Sequence, residues 1–252
     1  MFSRYFMFLW AVMASTFLMA QKSEKPVDTR DYMYKHESSG GVRIQTNGVS
    51  PYFQFGWIKD IKRTRMIEVE YTYFINYQQK RQKSITQNGR DFQFGVQNRF
   101  HAIRVSVGFK RVIADKAPRN GVCLSIVGFA GVSLGLLKPY YLKLIQPGPD
   151  SIAVVIKPER YSEGNADRFL DPNYIVEAAP IRYGLNQMQP VPGLHGKLAL
   201  DFDWGSRDKV VKALEAGVML DLYYKNIPVM VNKTNRFFQI GAFIGFHIGK
   251  RW

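Results

Sequence analysis

The sequence predicts an all-β protein, an antiparallel transmembrane β-barrel of eight strands with one long extracellular loop. Three observations predict it. The chain opens on an export signal, and several later segments alternate apolar and polar residues over about ten positions or more. The last such segment ends the chain on an aromatic residue, Trp252.

Residues 1–20 set one positive charge, Arg4, before an uncharged apolar stretch that closes on Ala20. That is the layout of a secretory signal peptide. An N-terminal membrane anchor is the alternative, but the stretch is short for spanning a bilayer. Residues 21–39 then read as an N-terminal periplasmic segment, and residues 40–252 as the barrel. The 252 residues carry 35 Lys and Arg against 20 Asp and Glu, a formal charge of +15, which falls to +14 once Arg4 is removed. So basic a chain invites a nucleic-acid reading. Export argues against it, and no nucleic-acid partner is expected. A hydrophobic share of 46% excludes a disordered tail, and the lone Cys123 excludes both a disulfide scaffold and a multi-Cys metal site.

The first strand is Gly41–Thr46, extended backwards toward Tyr34, and the turn dipeptide Asn47-Gly48 separates it from Pro51–Ile58. In Met66–Tyr77, Ile67, Val69, Tyr71 and Tyr73 alternate with Glu68, Glu70 and Thr72. In Phe100–Ile113, Ile103, Val105, Val107 and Phe109 alternate with Ala102, Arg104 and Ser106. Gly121–Leu137 lacks charge but is short and Gly-rich for a spanning helix, and it reads as the fifth strand. Leu194–Trp204 sets Leu198, Leu200 and Phe202 against Lys197, Asp201 and Asp203. Lys209–Tyr224 sets Leu214, Val218, Leu220 and Leu222 against Glu215 and Asp221. Arg236–Lys250 completes an even count of eight, as a barrel with both ends in the periplasm requires.

A soluble sandwich alternates too, and three details favour the membrane. The strands are longer than most globular strands. Their apolar faces end on Trp57, Tyr73, Trp204, Tyr224 and Trp252, as an interfacial girdle would. Their polar faces carry charges of both signs, which suits a narrow lumen filled by side chains. Glu68, Glu70, Arg104, His195, Asp201, Asp203, Glu215, Asp221 and His247 are the expected lumen network. Phe246, Ile248 and Trp252 share the outer face of the last strand and resemble the insertion signal read by barrel-assembly machinery.

Charge then sorts by rim. The short connections hold Lys59, Lys62, Arg63, Arg65, Lys116, Arg119, Arg207 and Lys209. With Lys110, Arg111, Lys250 and Arg251, and against Asp60, Asp115 and Asp208, the periplasmic rim reaches +9. Two uses suit it: contact with lipid phosphates, or docking of an acidic periplasmic protein. The loop 138–193 balances six basic with six acidic residues and holds eight of the twelve prolines. Its pieces Tyr140–Ile145 and Ser151–Ile156 suggest a hairpin above the barrel or a lid across it, with a partly disordered loop as the alternative. Asp150-Ser151-Ile152 resembles the acceptor motif for O-glycosylation in Bacteroidota, a three-residue pattern that also occurs by chance.

Ser133-Leu134-Gly135-Leu136-Leu137-Lys138-Pro139-Tyr140-Tyr141-Leu142, Phe169-Leu170-Asp171-Pro172-Asn173, Pro228-Val229-Met230-Val231-Asn232 and the ending Gly249-Lys250-Arg251 resemble uncharacterised outer-membrane barrels of Bacteroidota. The resemblance spans roughly residues 40 to 252. It implies a fold and a place in the outer membrane, among lipids and lipopolysaccharide, and a link to type IX secretion, but no activity.

No Ser–His–Asp signature, His-Glu-x-x-His, phosphate loop or paired metal spacing occurs, so neither an enzyme nor a cofactor is expected. A scaffold or accessory role in an envelope assembly is preferred. A passive small-solute channel or binding barrel is the alternative, and a lipid-modifying enzyme stands behind both.

Overall fold

The computed structural model describes residues 34–60, 62–75, 81–84, 89–115, 121–147, 154–205, 209–231 and 235–252. Residues 1–20, expected to be a signal peptide, and Lys116, Arg119, Arg207 and the Asp150-Ser151-Ile152 motif lie outside them.

Eight long strands close into an antiparallel barrel. They are β1 (His36–Gln45), β2 (Gly48–Asp60), β3 (Arg63–Phe74), β6 (Asn98–Ala114), β7 (Cys123–Pro139), β11 (Gln189–Asp203), β12 (Val210–Ile227) and β13 (Arg236–Arg251). Each pairs with the next in the chain, and β1 pairs with β13 to close the ring. Closure pairs the edges that hydrocarbon cannot hydrogen-bond. The seam is tied by the last residue, whose carbonyl accepts from the Lys35 and His36 amides. No helix among the described residues is long and apolar enough to cross a membrane.

All eight expected strands are present, with three boundary corrections. β1 begins at His36, so residues 36–39 belong to the barrel and not to a preceding segment. The first hairpin turns on Thr46-Asn47, while Gly48 already pairs with Gln45 in β2. A side chain on Gly48 would strike the Tyr73 carbonyl 2.1 Å from its Cβ, so closeness to β3 rather than turn geometry requires glycine there. β7 and β11 run further than expected, which shortens the long outer connection to residues 140–188.

Period two sorts the side chains as the sequence implies. Val42, Ile44, Phe53, Val69, Val105, Val132, Leu198, Val218 and Ile244 are exposed around the outside. Charged partners on alternate positions are buried inside. An apolar exterior around a charged interior inverts a soluble fold and suits hydrocarbon outside.

The two ends differ. Three connections between barrel strands (β2–β3, β6–β7 and β11–β12) and both barrel termini share one end. At the other, β8 (Tyr141–Pro147), β9 (Val154–Arg160) and β10 (Ile175–Ala178) form a three-stranded sheet. The hairpin foreseen there exists, with its second strand displaced from Ser151–Ile156 to Val154–Arg160. A helical turn, α1 (Ala166–Phe169), packs beside it, and β4 (Arg81–Gln82) pairs with β5 (Phe92–Gln93). Phe92, Val96, Tyr140, Leu142, Leu144, Phe169, Ile175 and Ala178 form a buried core of their own. The long loop is therefore a folded cap. Backbone bonds from Gln97 to Val229, Val231 to Gly95 and Tyr140 to Gln97 tie it to neighbouring connections.

Candidate functional site

Alternation turns one residue in two of every barrel strand toward the axis, so the lumen is the first place to look for chemistry. All nine expected lumen residues are there and buried. They meet four further buried side chains: Glu37 and Arg43, Lys197 from a polar strand face, and Lys110, counted above with the rim.

Toward the short-connection end, Lys110 Nζ lies 2.7 Å from Asp201 Oδ2 and 3.3 Å from Glu37 Oε1. Arg251 bridges Glu37 at 2.7 Å and Asp203 at 3.0 Å. His247 Nδ1 is 2.9 Å from the Tyr52 hydroxyl, with its other nitrogen turned toward Asp201.

Arg43 holds the middle. Its guanidinium reaches Glu68, Glu70 and Glu215, and it lies 3.4 Å from the centre of the Tyr52 ring. Lys197 shares Glu68 and Glu215, at 2.7 and 3.0 Å. Higher up, Arg104 pairs with Glu70 and Asp221, and His195 Nδ1 lies 2.8 Å from the same Asp221.

Above this lies an apolar layer of Phe100, Leu137, Val191, Tyr223 and Ile227, with Phe74 and Val229 packed on it. Seven carboxylates therefore face five permanent cations under an apolar lid. Isolated charges in such a place would be very costly, and each is paired. Chemically, the arrangement can hold strands in register. His195 sits beside a carboxylate already held by Arg104, as a member of an ion-pair network.

Among the described residues no cluster of His, Cys, Asp and Glu has the makings of a metal site. Cys123 is buried at the short-connection end of β7.

The basic rim needs correction. Lys110 and Arg251 belong to the lumen network, which leaves ten basic residues against Asp60, Asp115 and Asp208, or +7 in place of +9. Lys59, Lys62, Arg63, Arg65 and Lys209 are exposed at that end. Arg65 lies in register between Trp57 and Phe109, on the outward face. Phe246, Ile248 and Trp252 are exposed on the outer face of β13, where Phe246 stacks on Trp204 at 6.0 Å.

Parity turns Arg43 inward, between outward Val42 and Ile44, as it turns Lys197 inward on the polar face of its strand. Glu37 shares the inward parity of Arg43, and Lys110 that of Arg104 and Ser106, but both take their partners from strands distant in the chain.

No family model and no curated protein matches the chain. Among solved structures it is similar to Ail, the attachment invasion locus protein of Yersinia pestis, at 10% identity and a TM-score of 0.43, over 87% of this chain and 100% of that one. It is also similar to neisserial surface protein A, at 9% identity and a TM-score of 0.40, over 86% and 95%. The N-terminal β-barrel domain of Pseudomonas aeruginosa OprF matches at 8% identity and a TM-score of 0.38, over 87% and 98%.

Proposed function

We propose that this protein is a non-enzymatic outer-membrane barrel that works through its two ends, as a scaffold or accessory component of an envelope assembly. The observation that carries the reading is the ion-paired lumen beneath an apolar layer. A conducting pore needs a continuous polar path, and the Arg43 and Arg104 networks occupy the axis. On this reading the protein works through the cap and the opposite rim.

The rim offers an acidic periplasmic partner the exposed Lys59, Lys62, Arg63, Arg65 and Lys209, with Lys116, Arg119 and Arg207 nearby in sequence. Arg65 and its outward neighbours reach lipid phosphates equally well, so the two uses share residues. Export by the signal at residues 1–20 and insertion through the last strand by barrel-assembly machinery complete the reading. Protein secretion is the assembly favoured by the resemblance to Bacteroidota barrels.

Two measurements test it. In planar bilayers the purified protein gives no stable open current, and a sizeable one returns the passive channel. Replacing Lys59, Lys62, Arg63 and Arg65 with Gln weakens pull-down of an acidic periplasmic protein, and raised salt mimics the loss, because exposed charges are screened over about 10 Å at 0.1 M. Unchanged partners at both salts would leave the rim on phosphates alone.

A further inference from the structure

At the capped end of the barrel, Arg99 of β6 and Lys138 of β7 stand directly opposite each other in the antiparallel register. Both take the outward parity, in line with the exposed pair Ile103 and Leu134 two steps below. Like charges opposed on one face of a strand pair repel and weaken the pairing.

Water does not relieve the repulsion freely. Lys138 is only 6% exposed, and Arg99 Nε is buried with no hydrogen-bond partner among the described residues. The segment 180–183 folds against them, with Lys138 Nζ donating to the Ile181 carbonyl. Gly184 turns that segment with φ of +83°, a conformation that favours glycine.

A cavity of about 550 Å³ opens between this segment and the strand ends. That is a size typical of small-ligand sites. Arg90 and Arg182 bring the cations along its wall to four, against the single carboxylate of Asp91. Tyr140 carries the Arg99 guanidinium 4.8 Å from its ring centre, and Tyr141 and Tyr183 line the wall with rings 5.9 Å apart.

Guanidinium forks match phosphate oxygens, and flat phenol rings suit the face of a sugar. Height in the membrane narrows the source. The Arg99–Lys138 pair lies just above the outward apolar belt and beside His101, which packs on Tyr71 and Tyr73. That is the depth of lipid head groups. We infer that this cavity binds the phosphorylated saccharide head group of an outer-leaflet glycolipid. The choice of source rests on the outer-membrane reading above.

The test titrates the full-length barrel in detergent micelles with bis-phosphorylated lipid A, its dephosphorylated form and inorganic phosphate, by microscale thermophoresis. Phosphorylated lipid A binds at least about tenfold tighter than the dephosphorylated form. Arg99→Gln with Lys138→Gln removes that preference, and Lys225→Gln, an exposed cation outside the cavity, keeps it. Heat-modifiable gel mobility reports folding, and Arg90→Gln with Arg182→Gln replaces the strand pair should that variant fail to fold.

Equal affinity for both lipid forms overturns the inference, as does wild-type binding by a folded variant. Inorganic phosphate competing at the affinity of lipid A overturns the lipid source. Binding in micelles is independent of cellular location, so a negative titration leaves the membrane reading intact. Absence of the protein from outer-membrane fractions would sink that reading without changing these affinities.

Discussion

Arg43 and Glu215 are 172 residues apart in the chain and meet inside the barrel across Gly245. Arg43 Nε lies 3.2 Å and Nη2 lies 2.8 Å from Glu215 Oε2. Gly245 is the β13 partner of both, paired with Arg43 on one side and Glu215 on the other. A Cβ at Gly245 would come within 2.7 Å of Arg43 Cγ, so the missing side chain gives the guanidinium its passage.

That relationship predicts a large stability loss for Arg43→Met. It would leave Glu68, Glu70 and Glu215 with Lys197 and Arg104 as their remaining cations. Removing one side of a buried ion pair costs roughly 3–5 kcal/mol. Urea unfolding in lipid vesicles, read by heat-modifiable mobility, should show it. Gly245→Val should fall in the same direction, and an unchanged midpoint for both would mean the network bears no strain of assembly.

Orientation is open to direct labelling. In a Cys123→Ser background, Glu163→Cys in the cap should react with a membrane-impermeant maleimide on intact cells. Lys62→Cys, in the β2–β3 connection, should react only after the outer membrane is permeabilised. The reverse pattern would invert the barrel.

The cap carries a pH-sensitive tie. Lys143 donates to Glu177 and so does the Arg90 backbone amide, and these hold its carboxyl below the usual carboxylate range. A depressed carboxylate adds stability that is complete above its unfolded value, about 4.3, and is lost as pH falls through the folded value. Protease cutting of the cap should therefore quicken as pH drops below about 4, by a pepsin-type enzyme active in that range. Glu177→Gln should show the faster rate already at about pH 5, where the wild-type tie is intact and the protease still cuts, and less change on further acidification. The surface position limits the effect to less than about 1 kcal/mol.

Trp252 separates insertion from packing. Its carbonyl accepts from Lys35 and His36, and its amide donates to His36, all through backbone that Trp252→Ala keeps. The substitution should slow assembly in cells while the unfolding midpoint in vitro moves little. Equal losses in both assays would reduce the terminal aromatic to ordinary seam packing.

Much of this architecture was legible before folding was considered. Alternation told which side chains face inward, because a strand turns successive residues to opposite faces whatever it pairs with. Glu68, Glu70, Arg104, Asp201, Glu215 and Asp221 were readable on that ground, as were the eight strands and the aromatic end of β13. The cap was legible only as a long, Pro-rich segment with strand-like pieces. Its closed core and its cavity depend on contacts among residues 92–96, 140–144 and 169–178, which no local pattern relates.

The tertiary structure alone decided which inward charges meet. Lys110 looked like part of a basic rim and is instead a buried partner of Asp201 and Glu37, while Arg99 and Lys138 became neighbours under a folded loop. Parity is a property of one strand. Partnership across a barrel depends on tilt and stagger, and these are fixed only when β1 closes on β13.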